Sequence, residues 1–178
     1  MKSFVVTTLI LLFTFTAVAQ EPKFANLDPS PMDIAMYRGQ DKAPLIRVIY
    51  SRPQKKDRKI FGELVKYDEV WRTGANESTE ITFYKDMTVG DKTIKAGTYS
   101  LFTIPGEKEW TIIFNKDVNT WGAFGYKQER DVVRIKAPAR KLSNPLESFS
   151  ISFQPKTDGT DMLLGWDNTY VQVPFEQM

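Results

Sequence analysis

The sequence predicts an all-β fold, a single antiparallel β-sandwich or sandwich-like barrel of about eight or nine strands. From Leu45 onward, apolar and polar residues alternate with a period of two, which is the side-chain period of a half-buried strand. Turn-forming Gly, Pro, Asn and Asp residues separate the alternating segments, and no segment keeps a helical period over several turns. Strands that follow one another without intervening helices favour an antiparallel fold.

The alternation is clearest in residues 45–51 (LIRVIYS) and 78–85 (STEITFYK). In the second segment, Ile81 and Phe83 fall on one face of the predicted strand, and Glu80 falls on the opposite face. β-branched residues are frequent in both segments, as is typical of strands. We therefore predict a strand in each.

A tight hairpin is predicted where Gly90 and Asp91 separate two short runs, MTV and KTIK, because this pair readily adopts positive φ at a turn. Pro105 and Gly106 end the following segment in a similar way. The remaining predicted strands are residues 98–105, 110–115, 131–137, 147–154, 162–166 and 169–175.

The first 19 residues have the features of a secretory signal peptide. Lys2 supplies a basic start, residues 4–18 form an apolar run interrupted only by Thr, and residues 17–19 (AVA) suit signal peptidase. The run is too short and wrongly flanked for a stable membrane span, and no Cys follows it that could carry a lipid. We therefore predict export to the periplasm or beyond, with no membrane span after cleavage.

Residues 20–44 are predicted to be an extended lead-in segment before a single β domain at residues 45–178. The segment DPSP at residues 28–31 cannot form a regular helix or a central strand, because proline lacks the backbone donor. Residues 32–37 are compatible with one turn of helix, and residues 60–70 with a short helix or helical turn. A domain of this length can bury a substantial core.

The composition excludes several classes of function. The chain has 178 residues, with 24 Lys and Arg against 22 Asp and Glu, whereas a nucleic-acid-binding surface needs a clear positive excess. The absence of Cys excludes disulfides, thiol nucleophiles and thiolate metal sites. The absence of His excludes a Ser-His-Asp triad and most catalytic zinc or copper sites. No motif implies a cofactor or a metal, so an enzyme would have to use carboxylates, Lys, Tyr, Ser, Thr or Arg.

An ordered series of motifs runs through the predicted β domain: IYSRP (49–53), RKIFG (58–62), residues 64–77 ending in DEVWRTGANE, AGTYSLFTIPG (96–106), EWTIIFNK (109–116) and WGAF (121–124). Over residues 45–175 the chain resembles the exported bacterial proteins of the domain-of-unknown-function family DUF2911. Glu63, Lys66 and Asp68 stand in a link where that family usually has Gly or Pro at several places, so the resemblance does not fix the turn geometry there. The resemblance implies a fold neighbourhood and export, but it implies no activity and no functional residues.

The first candidate for a functional site is the loop VWRTGANEST at residues 70–79. The planar guanidinium of Arg72 suits carboxylates, phosphates or sugar hydroxyls, and Glu77 adds an acceptor or a base. The alternative is a structural corner, in which Thr73 and Asn76 form the turn and Arg72 pairs with Glu77. The proposed ligand contacts in this loop are Trp71, Arg72, Asn76 and Glu77.

The second candidate is the loop that follows the predicted strand at residues 110–115. It contains Lys116, which offers a charge, and Trp121, whose ring suits stacking on a sugar. A long loop rich in aromatics is unusual in a chain whose other connections are tight. The alternative is that Trp121, Phe124 and Tyr126 fold back and close one end of the sandwich.

Our leading hypothesis is a non-catalytic domain that binds a small polar or carbohydrate-like ligand. A first alternative is a carboxylate-dependent hydrolase of the glycosidase type, for which Glu77 and Asp117 would be the catalytic pair. A second alternative is an envelope module that binds a protein partner through a sheet edge or an apolar patch. The predicted ligand contacts are Trp71, Arg72, Asn76, Glu77, Lys116 and Trp121.

Overall fold

The computed structural model describes residues 20–178, and the signal peptide predicted for residues 1–19 lies outside the described residues. The described chain is all-β and sandwich-like, with one antiparallel sheet of six strands and another of four. The predicted fold class is therefore confirmed. The helix in this part of the chain is the 3-10 turn Gln128–Arg130, and none of the described residues forms a helix long and apolar enough to cross a membrane.

The two sheets are built from ten strands. In chain order these are β1 Met32–Arg38, β2 Pro44–Ser51, β3 Thr79–Phe83, β4 Met87–Val89, β5 Lys92–Ile94, β6 Gly97–Ile104, β7 Glu109–Asn115, β8 Asp131–Pro138, β9 Arg140–Lys156 and β10 Gly159–Gln177. The six-stranded sheet has the order β1-β2-β3-β6-β7-β8, and the four-stranded sheet has the order β5-β4-β10-β9. The predicted hairpin is present as β4 and β5, and Gly90 at its turn has a φ of 61°.

Strand β10 reverses direction around Asp167, so that its two halves lie side by side. A straight strand of 19 residues would span about 60 Å. Instead, the amide of Gln177 donates a hydrogen bond to the carbonyl of Asp158 at 3.0 Å, which joins the two ends. Asp167 has a φ of 52°, and the register with β9 shifts on both sides of it. The two halves correspond to the strands predicted at residues 162–166 and 169–175.

The helical turn predicted for residues 32–37 is wrong, because this segment belongs to β1. Strand β1 pairs with β2, with Ile34 opposite Ile49, and forms one edge of the six-stranded sheet inside the predicted lead-in at residues 20–44. A single helical turn has little stability of its own, so pairing with a neighbouring strand decides the conformation. Residues 60–70 form hydrogen-bonded turns without a helix.

Large aromatic side chains fill the space between the two sheets. Trp110 of β7 and Trp166 of β10 are almost completely buried. The ring of Trp71 stacks on Trp166, with centroids 6.1 Å apart and planes at 16°, and meets Trp110 edge-on at 6.3 Å. Phe149 of β9 completes this cluster at 5.1 Å from Trp71. These rings connect residues of both sheets, and their burial contributes strongly to core stability.

Replacing Gly159 with Ala should destabilise the domain by about 1–3 kcal/mol or more, because overpacking a close contact forces the backbone to move. A Cβ at this position would lie 1.9 Å from the carbonyl oxygen of Phe175, in the other half of β10. Urea unfolding followed by Trp fluorescence measures the change. Gly125→Ala is the matched control, because a Cβ there meets no atom within 4 Å, and it should change stability by less than about 0.5 kcal/mol. Equal stability of the two variants would contradict the side-by-side arrangement of β10.

Candidate functional site

The two loops singled out from the sequence lie against each other beside the six-stranded sheet. The first loop, residues 72–78, leads into β3, and the second loop, residues 116–127, follows β7. Their contacts are a hydrogen bond from the Ser78 amide to the Thr120 carbonyl (2.9 Å), another from the Gly122 amide to the Asn76 carbonyl (3.0 Å), and an antiparallel bridge between Glu77 and Trp121. The fold therefore joins two segments that are distant in the sequence.

Two residues with left-handed backbone shape the first loop. Thr73 has a φ of 57° and Asn76 a φ of 60°. Asn adopts this conformation readily, whereas a β-branched Thr adopts it only where the surroundings hold it. The hydroxyl of Thr73 lies 3.1 Å from that of Thr103. The carbonyl of Thr73 accepts a hydrogen bond from the Thr79 hydroxyl at 2.6 Å. Thr73 is fully buried, so the start of the loop is fixed from inside.

Trp71 points into the core, so the prediction that its side chain contacts a ligand is wrong. Its side chain is 8% exposed and packs among the core aromatics. The indole Nε1 donates a hydrogen bond to the carbonyl of Gly74 at 3.1 Å. At this end of the loop, the structure agrees with the alternative interpretation of a structural corner.

Arg72 is half-buried and forms no ion pair in the described part of the chain. Trp71 pairs with Thr103 and points inward. Successive side chains of a paired segment point to opposite faces, so Arg72 lies on the outer face of the sheet, on the same side as Phe102. Its Nε is buried without a hydrogen bond, and burial lowers the pKa of its guanidinium. The ion pair with Glu77 that the corner interpretation included is not formed.

A cleft of about 240 Å³ opens between the first loop, the second loop and the outer face of β2 and β3. We name it the loop cleft. Glu77 and Glu80 line it, and Oε1 of Glu80 accepts a hydrogen bond from the Asn119 amide at 2.8 Å. Met32 and Ile49 give it an apolar side. Among the described residues, no group of three or more His, Cys, Asp or Glu side chains is placed to hold a metal ion.

Trp121 does not line the loop cleft itself, but it is paired with Glu77, which does. The bridge between these two residues places their side chains on the same side of the paired segments. The indole of Trp121 is 62% exposed. Asn76 turns away from the cleft, because its side-chain amide donates to Oδ1 of Asp28 at 3.2 Å. Of the predicted ligand contacts, Glu77 lines the cleft and Trp121 flanks it.

Tyr126 fastens the second loop to the six-stranded sheet. Its ring packs edge-on against Phe102, with centroids 5.2 Å apart. Its hydroxyl donates to Oδ2 of Asp131 at 2.6 Å, and Nη1 of Arg134 lies 3.1 Å from the same oxygen. Burial, and then the hydrogen bond to Asp131, raises the pKa of the Tyr126 hydroxyl. Phe124 is 87% exposed, so the expectation that the loop aromatics fold back holds for Tyr126 but not for Phe124.

Lys116 and Asp117 lie at the base of the second loop and do not line the loop cleft. The Lys116 amide donates to the carbonyl of Arg130 at 3.0 Å, and Oδ1 of Asp117 accepts a hydrogen bond from Nε of Arg130 at 2.8 Å. The cleft therefore does not contain the carboxylate pair predicted for a hydrolase. The carboxylate that accompanies Glu77 is Glu80, which sequence reasoning places on the outward face of its strand but does not select.

A larger depression, of about 590 Å³, lies near the turn between β1 and β2 and the end of β9. Two of its three basic side chains already have protein partners, and the third is Lys85. Nη1 of Arg38 donates to the carbonyl of Lys42 at 2.9 Å, and Nζ of Lys156 pairs with Asp161 at 2.6 Å. We therefore centre the candidate site on the loop cleft, where the two carboxylates form no ion pair within residues 20–178.

Comparison with known families identifies the family of this chain. The profile of a family described as "Protein of unknown function (DUF2911)" matches residues 30–175. The chain belongs to this family. The DUF2911 match begins before β1, so it includes the edge strand that the resemblance over residues 45–175 left out, and it contains the whole loop cleft. No curated protein and no solved structure matches the chain.

In this DUF2911 domain, Tyr126→Phe should lower the free energy of unfolding by about 1 kcal/mol at neutral pH, because the hydrogen bond to Asp131 is lost. The folded-state pKa of Tyr126 is raised above the unfolded value of about 10, so its stabilisation is complete below that pH and is lost as the pH rises further.

The difference in stability between wild type and Tyr126→Phe should therefore shrink between about pH 9 and pH 11, as measured by urea unfolding. Tyr84→Phe is the control, because its exposed ring lies beside Arg47 and its loss should have little effect at either pH. A difference that stays constant across this range would contradict the role assigned to the Tyr126 hydroxyl.

Proposed function

We propose that this domain binds a small polar or carbohydrate-like ligand in the loop cleft, without catalysing a reaction. Glu77 and Glu80 accept hydrogen bonds from ligand hydroxyl or ammonium groups, and Trp121 covers one face of a ligand ring. The observation that carries the proposal is a cleft with two carboxylates and an apolar side, together with an exposed indole on the residue paired with Glu77. Ligand sites commonly combine apolar surface with a few converging polar groups in this way.

The carboxylates are open to a ligand, because neither Glu77 nor Glu80 forms an ion pair within residues 20–178. Hydrogen bonds to ionised groups are stronger than those between neutral groups, so two such acceptors can orient a hydroxyl-rich ligand. Their negative charge also disfavours an anionic ligand. We therefore expect neutral or amino sugars to bind better than uronic acids.

Trp121 supplies the apolar part of the interaction. The axial C–H bonds on one face of a sugar ring match the electron-rich face of an indole, and Trp offers a large, stiff surface for this contact. The indole is 62% exposed, so its face is accessible to a ligand. Phe124, further along the same loop, is even more exposed, but unlike Trp121 it is not bridged to a residue that lines the cleft.

A binding role is favoured over hydrolysis by the position of Asp117. Glycoside hydrolysis needs two carboxyl groups about 5 to 10 Å apart on either side of the scissile bond. Asp117 is engaged with Arg130 and does not line the cleft with Glu77. The cleft therefore lacks Asp117, the second carboxylate that the sequence predicted for the hydrolase alternative.

Titration calorimetry with neutral sugars, amino sugars and uronic acids tests the proposal. Glu77→Gln and Trp121→Ala should each weaken binding at least about tenfold, because each removes a contact worth roughly 1.5 kcal/mol or more. Glu107→Gln and Phe124→Ala are matched controls, since both residues are exposed and lie outside the cleft.

Binding that survives both cleft variants, or that is weakened equally by the controls, would place the ligand elsewhere. No binding by any sugar would favour the alternative of a protein partner. Release of a sugar product by the wild type, abolished in Glu77→Gln, would instead support a hydrolase.

We also propose that the domain is exported, which rests on the signal-peptide features of residues 1–19. Expression of the full chain in a bacterium should yield a processed protein outside the cytoplasm whose N-terminal residue is Gln20. N-terminal sequencing of the fractionated protein checks this. Full-length protein retained in the cytoplasm would contradict the export proposal without affecting the ligand proposal.

A further inference from the structure

The segment that follows β2, residues 52–59 (RPQKKDRK), is strongly basic, and we name it the basic loop. Two of its cations already have a carboxylate partner. Nη1 of Arg52 lies 2.9 Å from Oδ2 of Asp33, and Nζ of Lys59 lies 3.2 Å from Oε1 of Glu63. The other cations of the loop form no ion pair within residues 20–178; they are Lys55, Lys56 and Arg58.

Two of these unpaired cations line a cavity of about 380 Å³ between the basic loop and the lead-in segment. We name it the basic cavity. Its lining residues are Pro29, Ser30, Gln54, Lys56 and Arg58, and none of them is acidic. The volume lies within the range of small-molecule sites. Isolated surface cations are solvated, whereas two cations beside one cavity attract the same anion.

The backbone of the basic loop is fixed by β9. The amides of Lys55 and Lys56 donate hydrogen bonds to the carbonyl and to Oε1 of Glu147, at 2.6 Å and 2.8 Å. Gln54 forms an antiparallel bridge with Ser148. Lys56 has a φ of 50°, a conformation that is uncommon for residues other than glycine. The place of Lys56 is therefore set before a ligand binds, which lowers the entropic cost of binding.

The guanidinium of Arg58 is oriented by two carbonyls of its own loop. Its Nε donates to the carbonyl of Lys55 at 3.1 Å, and its Nη2 donates to the carbonyl of Gln54. Nη1 forms no hydrogen bond in the described part of the chain. An oriented guanidinium presents its remaining N–H groups in a fixed plane, which suits the oxygens of an oxyanion.

The rest of the lining adds neutral donors and no negative charge. The hydroxyl of Ser30 and the side-chain amide of Gln54 line the cavity and form no hydrogen bond among residues 20–178. Carboxylates lie nearby, but Asp28 accepts the Ser30 amide, Glu147 accepts the Lys56 amide, and neither lines the cavity. Asp57 is exposed and does not line it either. The side chains that face a ligand therefore carry two positive charges.

We propose that the basic cavity binds a phosphate monoester carried on a small polar molecule such as a sugar. The phosphate lies between Lys56 and Arg58, and Ser30 and Gln54 donate to the remaining oxygens. A phosphate monoester carries a charge of about −1.5 to −2 at neutral pH, which matches the two cations, whereas a single carboxylate leaves one cation uncompensated. The carboxylates of the loop cleft disfavour such a ligand, so this proposal does not depend on the function proposed there.

Backbone amide NMR with glucose-6-phosphate at low ionic strength tests the proposal. The amides of Gln54 and Lys56 report on the basic cavity itself, so a sugar bound in the loop cleft is not mistaken for a ligand here. They should shift saturably with glucose-6-phosphate. Glucose, which lacks the charge, and glucuronate, which carries a single negative charge, should act on these amides at least about tenfold more weakly. Added salt should weaken the binding, because it screens exposed charges.

Lys56→Gln should weaken the binding of glucose-6-phosphate at least about tenfold. Its side chain forms no hydrogen bond and no ion pair within residues 20–178, so this variant should fold as the wild type does. Arg58→Gln should weaken binding by a similar factor. Lys108→Gln is the matched control, because it removes the same charge from an exposed position outside the cavity, and it should bind as the wild type does.

Three outcomes overturn the proposal. The first is the absence of saturable shifts of the Gln54 and Lys56 amides with glucose-6-phosphate. The second is an equal effect of Lys56→Gln and Lys108→Gln on binding, which would show a general attraction between the protein and anions. The third is binding of glucose or glucuronate at these amides as tight as that of glucose-6-phosphate, which would show that the phosphate is not recognised.

Discussion

The stacking of Trp71 on Trp166 is the contact on which the rest of the structure depends. Trp71 pairs through its backbone with Thr103 of the six-stranded sheet, while its ring lies against a tryptophan of the four-stranded sheet. Trp71 therefore contacts both sheets and also directly precedes the first loop. The direction of the backbone after Trp71 determines where Glu77 can contact the second loop. The sequence predicts Trp71 as a ligand contact, but Trp71 influences the loop cleft through its position in the core.

Because aromatic rings fill the interior, the loop cleft lies on the outer face of the six-stranded sheet. The loop cleft is made by two loops lying over one sheet, and its chemistry comes from Glu77 and Glu80. On the outer face of the four-stranded sheet, the missing side chain of Gly165 lets Leu146 and Tyr170 lie close to the strand. The scaffold keeps a single packed core and leaves each face free to acquire a different surface chemistry.

The strands could be predicted from the sequence because their alternation is a local property. Even the two halves of β10 are visible as separate runs on either side of Asp167. Strand β1 could not be predicted in this way, because its conformation depends on pairing with β2. Local pattern also does not tell which way an aromatic residue in a turn points, so Trp71 and Trp121 look equivalent in the sequence. Glu80 is visible as an outward residue, but its place in the cleft depends on how the second loop packs.

The pairing of β10 with β4 has a consequence for the order in which the molecule is assembled. Residues near the C-terminal end of the described chain, around Phe175, lie next to Val89 of β4, and the reversal of β10 places them in the interior of their sheet. That sheet cannot be completed until the residues around Phe175 are available to pair with β4. Contacts this distant in sequence have a high entropic cost of closure and form slowly. An incompletely folded chain is also the form in which a protein of the proposed exported class would cross a membrane.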